Sequence, residues 1–386
     1  MNISHVAEQG TIVVAAGTRQ KVITLSGGSP RLEERDFTNV LINVLRGAQP
    51  KAYFLHGHSE REVGDKEGED GAAAFVDLLQ KEAYKVEVLD IDPNRPEVPE
   101  DCSILIINGP KSDLLPQEIA ALEAYAGRGG RLLVLLNPLS QRQGGLAPTP
   151  NLVSWLQGAL GVDVGVDLIL TDVGAPQKVS QIQLTPDRTP FAALEEDPAA
   201  WQGSYRAQHP VTRAFPFKMV LTAVRTVSAA AKAPQQTIVT ELVRTPPDYW
   251  AETDAARWIE TKGSAEQNEG EKAGPIPIAV AAVKRLEDTP EEGRPGDVRA
   301  VVVGDADLMT NAQIQSPGNF NLIFNVMAWL SESEDLIAIR ASGKEDPPIV
   351  LTPLQQRAVV WTSTLATLQA VIGVGLVVYV VRRKHR

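Results

Sequence analysis

Polar and apolar positions alternate in a few recognisable ways along this chain. Residues 11–25, TIVVAAGTRQKVITL, hold two β-rich runs around Ala16-Gly17 and read as a hairpin, and a helical spacing of apolar residues follows over 34–45. Beyond Gly47, short apolar runs alternate with amphipathic stretches. Residues 53–55, 85–89, 104–107 and 132–136 read as strands. Residues 71–83 place Phe75, Leu78 and Leu79 on one helical face. A second helix opens at Pro116, carries Leu115, Ile119, Leu122 and Ala126 on one face, and stops at Gly127-Arg128-Gly129-Gly130. This alternation predicts an α/β fold, an open and mostly parallel sheet flanked by helices. A loop at 140–150 and a helix at 151–160 close its first part.

The rest of the chain is less regular. Residues 161–298 read as a mixed α+β insertion, in which the polar stretches 261–274 and 287–296 flank an apolar strand at 276–283. A buried strand at 300–303 and a helix at 320–330 are expected to return to the first sheet. The predicted organisation is therefore a hairpin and helix at 1–47, an α/β part at 48–160, the mixed region at 161–298, the return at 299–340, a linker at 341–358, an apolar helix at 359–381 and a basic tail at 382–386.

That apolar helix changes the picture most. VVWTSTLATLQAVIGVGLVVYVV carries no charge over 23 residues, about 34 Å as a helix against a hydrocarbon thickness of about 30 Å. Trp361 and Tyr379 sit near its two ends, and Arg382, Arg383 and Lys384 follow at once. The basic cluster puts the C-terminus in the cytoplasm, so the expectation is a single-pass inner-membrane protein, set in lipid, with its bulk extracytoplasmic or periplasmic. Gln369, Gly373 and Gly375 would suit packing against a partner helix. Met1 to Gly10 has neither the basic nor the apolar region of a secretory signal.

The formal net charge is −11, and the body without its basic tail is more acidic still, which excludes nucleic acid as a partner. Cys102 is the only cysteine. It permits no intrachain disulfide or thiolate cluster, and because it opens a strand it reads as a small buried residue rather than a nucleophile. No phosphate-binding loop and no metalloenzyme motif is present, and no cofactor is implied.

In an open parallel sheet, ligands bind outside the carboxyl ends of the strands. The residues following the strands here are polar: His56-Gly57-His58-Ser59-Glu60, Asp90 and Asp92, Asn108-Gly109-Pro110, Asn137-Pro138 and Gly304-Asp305-Ala306-Asp307. His56, His58, Glu60, Asn108, Asn137, Asp305 and Asp307 are accordingly the candidate ligand-binding residues. Imidazole and carboxylate groups in one crevice could bind a cation or exchange protons, or they could simply satisfy loop backbone. No catalytic or metal-ligating residue is assigned.

Several segments carry a resemblance to a known family. YFLHGHSE at 53–60, INGPKSDLLPQEIAALEAYAGRGGRLLVLLNP at 107–138, HPVT at 209–212, WAET at 250–253, VVVGDADLMTNA at 301–312 and GNFNLIFNVMAWLSESEDLIAIR at 318–340 occur in the order seen in GldG-like proteins. These are the extracytoplasmic auxiliary components of the ABC transport system associated with gliding motility. The resemblance implies a glutamine-amidotransferase-like α/β domain without the catalytic triad, akin to the first domain of an intraflagellar transport protein. It implies binding or scaffolding rather than catalysis, with an ABC permease, and through it a cytoplasmic ABC ATPase, as partners. Gly57-His58-Ser59-Glu60 stands where the family has GHGE. Family members usually carry a first transmembrane helix and a further soluble segment before the hairpin, so a shortened or split version is expected. The alternatives are a hydrolase or amidotransferase-like enzyme using the His56, His58 and Glu60 loop with Asp305, and a module that binds a sugar or peptide.

Overall fold

The computed structural model describes residues 11–16, 19–24, 49–140, 145–146, 149–172, 178–193, 199–213, 215–261, 263–287, 296–332 and 383. The chain divides into two units, 1–342 and 343–386. The helices expected at 34–45 and 359–381, with Trp361, Gln369 and Tyr379, lie outside the described residues, as do Arg382 and Lys384; Arg383 is helical and exposed. Among the described residues no helix is long and apolar enough to cross a membrane. The N-terminal hairpin pairs Thr11–Ala16 with Arg19–Thr24 in antiparallel fashion.

A nine-stranded sheet organises the larger unit. Its strands are β1 (Lys51–His56), β2 (Lys85–Asp90), β3 (Ile104–Asn108), β4 (Arg131–Leu135), β5 (Trp201–Gln202), β6 (Tyr205–Arg206), β7 (Thr237–Arg244), β8 (Pro277–Arg285) and β9 (Asp297–Val303). They lie in the order β5-β6-β7-β8-β9-β4-β3-β1-β2. Pairing from β9 through β4, β3 and β1 to β2 is parallel, whereas β5 to β9 pair antiparallel. The sheet is thus mixed where the pattern predicted a mostly parallel one. The reason is local: the β8 stretch IAVAA is buried on both faces, and a buried run reads the same in either direction. Its direction follows from the short connection to β9, which returns the chain antiparallel.

Both faces of the central strands are covered. Every residue of β3 and β4 is buried. On one face Phe54, Ile106, Leu133 and Val301 pack with Phe75 and Leu79 of α1 (Ala73–Lys81). The helix that closes the described part of this unit, Pro317–Leu330, adds Ile323, Val326 and Met327 to the same layer. On the other face Leu105, Ile107, Leu132, Val134 and Val302 pack with Leu122 and Tyr125 of α2 (Pro116–Gly127) and with Leu152 and Leu156 of α3 (Pro150–Leu160). Leu115, expected on the buried face of α2, is its N-cap and is exposed; Glu118 takes a buried place instead.

Between α3 and β8 three small antiparallel pairs form: Val162–Val164 with Val227–Ala229, Leu168–Thr171 with Tyr249–Glu252, and Gln181–Leu184 with Met219–Thr222. The short helix α4 (Ala255–Glu260) follows the second of these, capped by Asp254, whose carboxylate accepts the Arg257 N–H. With Pro317–Leu330 as α5, the described part of the larger unit is three layers deep, α/β/α, with the intervening region joined to one side of the sheet.

Leu133 sits at the middle of this sheet and is fully buried, so Leu133→Ala should cost about 2–5 kcal/mol of unfolding free energy, read as a lower urea midpoint at unchanged slope.

Candidate functional site

The parallel strands run in the order β2-β1-β3-β4-β9, so the winding reverses between β1 and β3. A doubly wound sheet opens its binding crevice at such a reversal, outside the carboxyl ends of the strands. The loop after β1 enters this place through a tight turn, with Gly57 at φ 121° and Ser59 at φ 59°. Ser59 holds a left-handed conformation that a side chain makes costly.

His58 is buried within that turn. Its Nδ1 lies 3.3 Å from Glu60 Oε1 and its Nε2 lies 2.9 Å from Glu118 Oε2. Its main-chain N–H donates to Glu60 Oε2 at 2.7 Å. Glu118 is the third residue of α2 and also accepts the Leu115 N–H at 2.7 Å, so one carboxylate caps the helix and holds the imidazole. The hydrogen bond to Glu60, followed by the negative charges of Glu60 and Glu118, outweighs burial and raises the His58 pKa. The carbonyl of His58 accepts the N–H of Lys111 at 2.8 Å and of Ser112 at 3.2 Å, which ties the loop after β1 to the loop after β3.

A second cluster lies beside it. The buried Arg61 pairs with Asp307 and, at 3.3 Å, with Asp70, and its main-chain N–H donates to Asn108 O at 3.3 Å. Asn137 Nδ2 donates to Asp307 Oδ1 at 2.6 Å, while Asn137 Oδ1 accepts the Ala306 N–H at 2.5 Å. Asp305 Oδ1 accepts the Asp307 N–H at 2.6 Å. Asp305 is fully buried, and burial, with the adjacent Asp307 charge, holds its pKa well above the usual carboxylate range. Asp305 Oδ2, Arg61 Nε and both amide atoms of Asn108 are buried without a hydrogen-bond partner. Gly109, at φ 67°, lets the backbone pass here: a Cβ would come within 2.9 Å of the Ala306 side chain.

The structure therefore places His58 with Glu60, and Asn137 with Asp305 and Asp307, and Arg61 joins the latter group to Asn108. His56 is apart from both. It is exposed at the end of β1, with Nδ1 2.6 Å from Asp90 and Nε2 3.7 Å from Glu62, and the Asp90 contact raises its pKa. Arg61 and Glu118 are the residues the sequence reading missed. Glu118 was legible as a carboxylate in the first turn after a proline, but its buried partner sixty positions earlier was not. Among the described residues no group of three or more His, Cys, Asp or Glu side chains is arranged to hold a metal ion.

Two other motifs prove structural. His209 packs on Trp329 at 5.1 Å between ring centroids and accepts the Val211 N–H, and burial pushes its pKa down to about 4. Trp250 and Glu252 belong to a strand, Tyr249–Glu252. Cys102 is buried before β3, at the opposite end of the strand from Asn108, with its thiol pushed up to about 12 by burial. At that pKa almost no thiolate exists near neutrality.

Residues 49–329 match the model of a family of auxiliary components, described as an ABC-type uncharacterized transport system. The chain belongs to this family. No curated protein matches it. Among solved structures it is similar to the mmIFT52 N-terminal domain, at 14% identity over 73% of this chain and 97% of that one, with a TM-score of 0.45. It is also similar to a putative ThuA-like protein from Bacteroides uniformis, at 13% identity over 73% and 91% with a TM-score of 0.38. A glutamine amidotransferase from Thermotoga maritima shares 9% identity over 76% and 98%, with a TM-score of 0.32.

The raised pKa of Asp305 sets the sign of a pH effect. An acid that binds its proton more tightly when folded adds stability below its unfolded pKa of about 4, and that stability is lost as pH rises toward the folded value. Asp305→Asn, which copies the protonated form and keeps the oxygen that accepts the Asp307 N–H, should therefore match or exceed the parent in Tm at pH 7 and show a flatter Tm-against-pH profile above about pH 4.

Proposed function

We propose that the protein is a non-catalytic auxiliary subunit of an ABC-type transporter of the gliding-motility (GldG-like) kind. In this reading the helix at 359–381 anchors it in the inner membrane, Arg382, Arg383 and Lys384 lie on the cytoplasmic side, and the α/β unit stands outside the cytoplasm against the permease. Family membership gives the transport context. The uncharged length of 359–381 and the basic tail support the anchor and its direction.

One observation carries the non-catalytic part: His58 and Asp307, the groups at the strand ends best suited to proton transfer, are spent on neighbouring side chains. His58 lies between two buried carboxylates, and Asp307 serves Arg61 and Asn137 together. A general base must reach a proton on its substrate, and an imidazole closed on both nitrogens does not. β3 ends in Asn108 and is followed by Gly109, neither of which carries a thiol or hydroxyl. These bonds suit a rigid platform, on which the crevice presents loops of fixed shape to a ligand or a partner.

Extraction of the full chain in mild detergent should co-purify a multispan permease and an ABC ATPase; recovery of the chain alone, under conditions that keep other ABC complexes whole, would sink this reading. His58→Gln should lower Tm by several degrees yet leave that recovery unchanged, whereas a catalytic His58 would show its loss in turnover instead.

A further inference from the structure

The two edges of the sheet are built differently. β2, on the parallel side, is guarded by charge: Lys85 pairs with Glu87 at 2.5 Å, and Asp90 holds His56. On the other side, β6 meets β7 at a single position, Tyr205 opposite Val243, with Arg244 N–H donating to Ser204 O at 2.9 Å. Register shifts around Val243 bend β7 there. Over residues 237–241, Thr-Ile-Val-Thr-Glu, no strand flanks β7 on its outer side among the described residues.

The register shows which main-chain groups this leaves open. Arg285 N–H donates to Gln236 O at 3.0 Å, so the alternate positions Ile238 and Thr240 also bond to β8. The N–H and C=O of Val239 and Glu241 then point outward. The stretch has no Lys or Pro to discourage pairing, four of its five residues are β-branched, and Ile238 is 70% exposed.

Charge selects the occupant. Lys284 and Arg285 lie beside the Thr237 end, and Arg206 lies at the Val243 end, over Trp201 at 5.2 Å. Glu241 is the one acid on residues 237–241. An antiparallel pairing with a second copy about Val239 would set the Lys284 and Arg285 end of each chain against the Arg206 end of the other, cation against cation. An acidic strand meets these cations with opposite charge, provided its acids sit away from Glu241. We propose that the outer edge of β7 accepts an extended, acidic, β-branched segment of a transporter component as a further strand of the sheet, through main-chain bonds to Val239 and Glu241 and cover over Ile238. This rests on the reading of the chain as an auxiliary subunit.

The test uses the full chain extracted from membranes with its transporter. Val239→Pro removes an outward N–H at an edge position where proline is tolerated, and Ile238→Lys places a charge on the covered face. Each should lower transporter recovery about tenfold, with Tm within a few degrees of the parent. Raising NaCl from about 0.1 to about 0.5 M should weaken recovery of the parent as well. Val88→Lys on β2 should change nothing. Recovery at the parent level from folded Ile238→Lys overturns the proposal while leaving the auxiliary reading intact. So does a homodimer as the main disulfide product of Ile238→Cys, a clean readout because Cys102 is buried. If the parent recovers no transporter component, the auxiliary reading falls and takes this proposal with it.

Discussion

The structure depends on burying both faces of the central strands. β3 and β4 are apolar on each side, so neither can be stable until helices cover both faces. α1 and α5 cover one, and α2 and α3 cover the other. That requirement sets the layering, and it also leaves the strand ends as the places where polar side chains can gather without interrupting the apolar layers.

At those ends electrostatics replaces hydrophobic packing as the ordering force. Four buried or half-buried ionisable side chains from distant parts of the chain meet there in two pairs: His58 with Glu118, and Arg61 with Asp307. A buried charge that loses its partner is costly, so such groups act as a set, and each loop holds the next in place. The consequence is a crevice whose walls are held by bonds between its own side chains. The orphaned atoms of Asn108, Asp305 and Arg61 are the exception, buried polar groups unmatched within an otherwise mutually bonded set.

The region after α3 adds the second theme. It does not stand apart as its own layer but lengthens the sheet by four antiparallel strands. Extending a sheet moves its open edge elsewhere, from β9 to β7, and this edge differs in charge from the opposite one at β2. In an acidic protein, a cation-flanked edge is a local reversal of the overall field, and local reversals are what steer partners.

Much of this was legible in the order of residues. Short apolar runs separated by amphipathic stretches specify β1 to β4 with α1 to α3, because burial on one or two faces leaves a periodicity that neighbours alone create. The strand-end polar residues were legible too, since the doubly wound topology places ligands there as a rule. The partners of those residues were not. His58 meets Glu118, and Arg61 meets Asp307, across separations of 60 and 246 residues, and no local pattern encodes such distances. Nor could the sequence show that β8 runs antiparallel, because a strand buried on both sides carries no mark of its direction. Periodicity by itself determined which segments bury which faces; only the tertiary structure decided which charges meet and which edge stays open, because both depend on neighbours supplied from far along the chain.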